Sequence, residues 1–335
     1  MKKYLLSQNG TFYKANLHCH TTVSDGVLTP EETKKIYKEN GYSIVAFTDH
    51  DVMVPHPELK DDDFLPLNGY ELEVRAEKKE QLNKTCHMCF IPLSPDNLKQ
   101  VCFHRTKYFD GNGMDYLDVI QFDENEPDYI REYTPECIND MMKKGIDNGF
   151  FVTYNHPNIS IEGYNEYMKY NHMHAMEVYN SSSDQGGYCE YNEKEYDAML
   201  RGGKRIFCIA TDDTHIVENC CCGYTMIKAE KLEYKAITDA LLAGNFYASQ
   251  GPSIYDLWYE DGIIHIDCSD AVTIELHTAN RAGCVKAKKD DARKVVNTAE
   301  FKLRPEDGYV RLTVTDANGK HANTNAYFID ELFAE

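Results

Sequence analysis

Short apolar runs in this chain repeatedly end on histidine or aspartate, and helices with clear start signals stand between them. Residues 13–17 lead into His18-Cys19-His20. Residues 43–48 lead into Asp49-His50-Asp51, residues 150–154 into Asn155-His156-Pro157, and residues 205–211 into Asp212-Asp213-Thr214-His215. Thr29-Pro30-Glu31-Glu32 and Thr134-Pro135-Glu136 each supply a threonine N-cap, a proline at the first helical position and acidic residues in the first turn. Strands alternating with helices in this way predict a parallel sheet with right-handed crossovers, either open or closed into a barrel.

From about Pro252 the texture changes to period-two alternation, in residues 263–267, 272–276 and 310–314. Turn signals at Glu260-Asp261-Gly262 and Ala317-Asn318-Gly319 separate such runs. The expected organisation is therefore an α/β domain, open or closed into a barrel, over residues 1–251, able to form its site alone, and a small antiparallel β-domain over 252–335. Residues 88–154 exceed what a barrel needs and predict an insertion that shapes the substrate site.

Catalytic groups in α/β folds collect at the carboxyl ends of strands. Six of the 13 histidines fall at such ends or in short strand-like runs here, together with several carboxylates. His18 and His20, two apart, share a face, with Cys19 opposite. Asp25 lies in the turn Ser24-Asp25-Gly26, Glu71 closes Gly69-Tyr70-Glu71, and His87 lies in Thr85-Cys86-His87. Together they predict a metal site. Mixed imidazole and carboxylate donors suit Mn²⁺, Fe²⁺ or Zn²⁺ better than Mg²⁺, which prefers oxygen. Asp49, Asp51 and Glu177 fit either a role in orienting ligands or one as solvated or capping carboxylates. His172 and His174 read as structural. Arg201 is the candidate phosphate clamp, with Arg205 and His104-Arg105 as further basic positions. The 12 cysteines read as reduced and structural, because Cys86-x-x-Cys89 lacks a second pair and Cys220-Cys221-Cys222 lacks ligand spacing.

The order His-x-His, Asp, Asp-His, Gly-x-Glu, His, His-Pro, Asp-x-His, spanning about Lys14 to His215, resembles the polymerase and histidinol phosphatase (PHP) family of metal-dependent phosphoesterases. The resemblance implies a distorted (β/α)7 barrel and three divalent transition metals (Mn, Fe or Zn) per chain. It implies nine ligands: His18, His20, Asp25, His50, Glu71, His87, His156, Asp213 and His215. By analogy one metal takes His18, His20, Glu71 and Asp213, with Glu71 bridging to a second held by His87 and His156. A third takes Asp25, His50 and His215. Asp213 is preferred over Asp212 because it gives the family's Asp-x-His, and Glu71 over Glu73 because it follows Gly69. The implied nucleophile is a metal-bridging hydroxide, so no side chain is assigned a covalent role.

Thirty-five basic against 55 acidic residues leave a formal charge of −20, which opposes a long nucleic acid and favours a small phosphorylated substrate or nucleotide. No apolar run is long enough to span a membrane, and the short apolar stretch after Met1-Lys2-Lys3 points away from a signal peptide and towards a cytoplasmic protein. The expected activity is hydrolysis of small-molecule or nucleotide phosphomonoesters. The alternatives are 5′-end exonuclease-like cleavage of short oligonucleotides, metal-dependent hydrolysis of a carboxylic ester or carbamate, and a non-enzymatic, metal-stabilised interaction module.

Overall fold

The two threonine caps form as their sequences dictate. Thr29 Oγ1 accepts the backbone N–H of Glu32 while the Glu32 carboxylate accepts that of Thr29, starting the helix Pro30–Glu39. Thr134 Oγ1 accepts the N–H of Cys137 and starts Pro135–Asp147. The computed structural model describes residues 2–79, 82–287 and 294–334.

Two parallel arcs face each other. One contains Thr11–Asn16, Ile44–Phe47 and Leu65–Asn68. The other contains Phe150–Tyr154, Ala175–Asn180 and Phe207–Thr211. The hairpin Tyr70–Arg75 and Thr85–Pro92 links them, pairing antiparallel within itself and onto Phe150–Tyr154. Isolated bridges between Cys19 and Thr214 and between His50 and Glu71 draw the strand ends together. The result is a distorted (β/α)7 barrel. The distortion has a visible source in that hairpin and in Tyr224–Ala229, which runs antiparallel to Thr11–Asn16.

Period-two alternation divides the barrel wall. Ile91, Phe151, Ala175 and Ile209 share an interior apolar floor with Leu17, Ile44, Ala46 and Leu67. Their neighbours Phe90, Phe150, Val152 and Met176 form the outer core. The helix Pro135–Asp147 lies so close to this wall that a Cβ on Gly145 would come within 2.3 Å of the Phe90 ring. Above the floor the inward positions turn polar, at Cys89, Thr153, Asn155, Glu177 and Thr211. Thr153 Oγ1 lies 2.7 Å from Asn155 Oδ1, and Thr211 donates to Glu177 at 2.7 Å.

The insertion expected over about residues 88–154 is shorter than that. Thr85–Pro92, Pro135–Asp147 and Phe150–Tyr154 are all barrel elements, so the chain leaves the barrel only over residues 93–134. The remaining length of that segment is an ordinary passage of strand, helix and strand. The excursion seats on the loop before Asp25: Asn112 N donates to Ser24 O at 2.8 Å and Asn112 Nδ2 to Thr22 O at 3.0 Å. Gly111, at φ +55°, permits this approach, since a Cβ there would sit 1.9 Å from Ser24 O.

The C-terminal strands are antiparallel, as their alternation predicts. Ile254–Glu260, Ile263–Ala271 and Val296–Lys302 form one sheet with Lys2–Tyr4. Ala282–Lys286, Thr273–Thr278, Tyr309–Thr315 and His321–Thr324 form a second, which continues into the barrel through Phe246–Ser249. The inner faces of both close over Leu257, Ile264, Ile274, Leu312 and Val314. Arg311 is fully buried, with Nε and Nη2 each 2.8 Å from an Asp197 oxygen on the barrel helix Glu193–Arg201. Among the described residues no helix is long and apolar enough to cross a membrane.

Candidate metal centre

All nine candidate ligands meet at the mouth of the barrel. Glu71, at the start of Tyr70–Arg75, is the hub. Its Oε1 lies 3.2 Å from His18 Nε2, 3.3 Å from His87 Nδ1 and 3.4 Å from His156 Nε2. Its Oε2 lies 3.3 Å from His50 Nδ1 and 3.4 Å from His20 Nε2. Asp213 Oδ1 is 3.2 Å from His18 Nε2 and 3.1 Å from His20 Nε2. Asp25 Oδ2 faces His215 Nε2 at 3.5 Å and His50 Nε2 at 3.9 Å.

These atoms converge without satisfying one another. His18 Nε2 and His20 Nε2 stand 3.0 Å apart. Among the described residues, His20 Nδ1, His50 Nδ1 and Asp213 Oδ1 are buried with no hydrogen-bond partner. Orphaned buried donors and acceptors are rare, and a bound cation would satisfy several at once. Donor atoms within 4.8 Å of one another form the groups His20–Asp25–His50–His215, His18–His20–Asp213 and His50–Glu71–His87. This donor set fits a multi-metal site.

Electrostatics point the same way. Burial alone would raise Glu71 and Asp213, but the imidazoles around them hold both well below the usual carboxylate range. Burial alone would lower His20 and His87. The Asp213 and Glu71 carboxylates instead carry His20 up to about 10, and Glu71 and Glu73 do the same for His87. His50, desolvated and beside His20, falls to about 3. The pocket thus holds cationic charge strongly, which a metal can replace.

A second ring of side chains fixes the first. Glu177, fully buried, receives His18 Nδ1 at 2.7 Å, the backbone N–H of His156 at 3.1 Å and Asn180 Nδ2 at 2.9 Å. Asn155 Nδ2 donates to Glu71 Oε1 at 2.8 Å, and Asn180 Nδ2 to Asp213 Oδ2 at 3.2 Å. Positive φ at Asp51 (61°), His156 (24°) and Asp213 (51°) concentrates backbone strain here.

The adjacent acids separate cleanly. Asp212 turns away, accepting N–H groups from Cys221, Cys222 and Gly223 and the hydroxyl of Tyr37. Glu73 stands behind His87, with Oε1 3.3 Å from its Nε2. Asp49 folds the loop towards Asp25 by accepting Thr21 N at 2.7 Å and Ser24 Oγ at 2.8 Å. Asp51 pairs with buried Arg131 from the excursion. His174 is structural, accepting Val152 N at Nδ1.

The sequence profile of the PHP domain matches residues 16–247. The chain belongs to the PHP domain family of metal-dependent phosphoesterases. A two-domain protein containing a predicted PHP-like metal-dependent phosphoesterase, from Bacteroides vulgatus, aligns with 16% identity and a TM-score of 0.47, over 96% of this chain and 97% of that one. An amidohydrolase from Chromobacterium violaceum with bound sulfate and no metal aligns with 15% identity and a TM-score of 0.41, over 61% and 88%. At such scores neither bears on activity. No curated protein matches the chain by sequence.

In this PHP domain a cavity of about 200 Å³ opens over the cluster, bounded by Thr85, Ile159, Ser160, Ser182 and Ser183, and among the described residues no lysine or arginine lines it. Arg201 is elsewhere. Its helix returns the chain to the starting end of the parallel strands, opposite the cluster, and Arg201 Nε donates to Ala279 O. Arg205 is engaged by Asp330 and Glu331. A neighbouring cavity of about 460 Å³ is lined by Arg75, Tyr108, Phe109, Asp110 and Arg131. Sequence reasoning gave no role to Arg131, Asn155 or Asn180, whose contacts with Asp51, Glu71 and Asp213 cross distant parts of the chain.

Proposed function

We propose that this protein hydrolyses small-molecule or nucleotide phosphomonoesters, using three divalent ions (Mn²⁺, Fe²⁺ or Zn²⁺) held by His18, His20, Asp25, His50, Glu71, His87, His156, Asp213 and His215. The observation that carries the reading is the convergence of five imidazoles on Glu71, beside buried atoms that have no hydrogen-bond partner among the described residues. Bound metal supplies Lewis acidity and lowers the pKa of water to about 7. The protein's part is orientation. Glu177 turns Nε2 of His18 to the cluster, Asn155 and Asn180 hold the carboxylates, and Ser160, 3.3 Å from His156 Nδ1, steadies that ring.

Three divalent charges exceed those of Asp25, Glu71 and Asp213, so a metal-loaded pocket attracts a dianionic phosphomonoester more strongly than a neutral ester. Among the described residues its wall offers hydroxyls in place of a fixed cation, which ties anion binding to metal occupancy. A closed structural site needs only four ligands. An open cavity over nine supports catalysis over a purely structural module. The formal charge of −20 disfavours long nucleic acids and fits a small substrate.

Metal-loaded protein should be assayed against phosphomonoesters, phosphodiesters, short oligonucleotides and matched carboxylic esters. Phosphate release from a small monoester or terminal nucleotide phosphate is the expected outcome. Carboxylic ester cleavage without phosphate release from any substrate would contradict the reading.

A further inference from the structure

The strand Thr85–Pro92 alternates, so His87, Cys89 and Ile91 share its inward face. Ile91 belongs to the apolar floor and His87 to the metal cluster, which leaves Cys89 between them. Cys89 also sits directly across from Glu71 in the antiparallel register. Its thiol is fully buried, and Sγ lies within 4.8 Å of ligand atoms of both His18 and Glu71. Asn155 Nδ2, which donates to Glu71 Oε1 at 2.8 Å, donates to Cys89 Sγ at 3.1 Å. That amide therefore treats the sulfur as a second acceptor beside the carboxylate. Beside the same His18 Nε2 that faces Glu71, at 3.2 Å, Asp213 Oδ1 is buried with no hydrogen-bond partner among the described residues.

We propose that Cys89 is a tenth donor of the metal centre, binding the ion shared by His18 and Glu71 through its sulfur. This rests on the reading that the cluster holds divalent metals. On binding, the S–H bond breaks, the electron pair stays on sulfur to form the metal bond, and the proton passes to solvent. Hydrogen bonding from Asn155 then supports the thiolate, as outer partners commonly do for metal ligands. A soft sulfur donor biases that position towards Zn²⁺ or Fe²⁺ and away from Mn²⁺ or Mg²⁺.

The test is X-ray absorption at the zinc edge on the reduced, zinc-loaded full chain, paired with the near-ultraviolet spectrum of the cobalt-loaded chain. The proposal expects a sulfur shell at about 2.3 Å and a sulfur-to-cobalt charge-transfer band. Both should disappear in Cys89→Ser, a near-isosteric change that preserves folding if Cys89→Ala does not. Zinc affinity should fall on the order of tenfold while manganese affinity stays unchanged. A shell of nitrogen and oxygen alone in the unaltered chain, or a sulfur signal that survives in Cys89→Ser, overturns the assignment. A sulfur shell without phosphoesterase activity upholds it and removes only the phosphoester reading. A chain that binds no metal overturns both.

Discussion

Glu177 Oε1 lies 2.7 Å from His18 Nδ1, so the Glu177 carboxylate decides which nitrogen His18 turns towards Glu71 and Asp213. The same carboxylate receives the N–H of His156 and the hydroxyl of Thr211, tying three strand ends to one point. Glu177→Ala should lower metal affinity by roughly 10- to 100-fold, the range for lost outer-shell partners. Glu177→Gln, which keeps an acceptor oxygen, should lose less. Elemental analysis after dialysis, with a melting curve to verify folding, checks both.

Metal binding should release protons. Without metal, burial opposes the charged forms of His20 and His87, but the neighbouring carboxylates hold both at about 10. Ligation needs them neutral, so affinity should rise with pH from about 6.5 towards 10. Their folded values exceed the unfolded one, so they stabilise the metal-free fold below about 6.5, and that stability is lost as pH climbs through 10. The chelated protein should therefore show a melting temperature that declines across that window, while the metal-loaded protein stays level. Calorimetry in two buffers of different ionisation enthalpy measures the released protons.

Arg131 fastens the excursion to the metal centre. Its guanidinium reaches Asp51 and donates to Glu73 O at 3.0 Å, while Asp51 N donates to Glu71 O at 2.8 Å. Burial pushes Asp51 up to about 6 even with Arg131 beside it. Arg131→Met leaves that carboxylate uncompensated and should cost about 3–5 kcal/mol. Asp51 would then take up a proton more readily, so the deficit should shrink below pH 6. Denaturant titrations at pH 5 and pH 8 measure it.

A chain ended after Gly251 should aggregate, contrary to the independence suggested by the change of sequence texture. It would lose Arg311, leaving Asp197 and Glu193 without their partner, and Asn325, whose Oδ1 accepts the N–H of Cys208 in the barrel. Size-exclusion chromatography of the shortened chain distinguishes a soluble monomer from aggregate.

The strand-end histidines and acids were legible because short apolar runs end on them and because their order along the chain resembles the motif order of the PHP family. Asp213 is preferred over Asp212 because it gives the family's Asp-x-His, and the fold gives Asp212 a separate task in capping the 221–223 turn. What escaped depends on distance along the chain. Arg131 meets Asp51 across 80 residues, and Arg311 meets Asp197 across 114. Arg201 misled because a basic residue near a strand looks the same at either end of it, and the crossover helix delivers this one to the wrong end. Cys89 reads as structural in the sequence because Cys86-x-x-Cys89 lacks a second pair, and its place across from Glu71 shows only once the hairpin register is known.

The most direct measurement of the central claim is phosphate release from a small phosphomonoester as chelated protein is reloaded with Mn²⁺ or Zn²⁺, with metal content read on the same samples. The rate should rise with occupancy from a baseline near zero, and remain near zero in folded His18→Ala and Asp213→Ala proteins. Metal-free protein that turns over its substrate at the full rate would contradict the account.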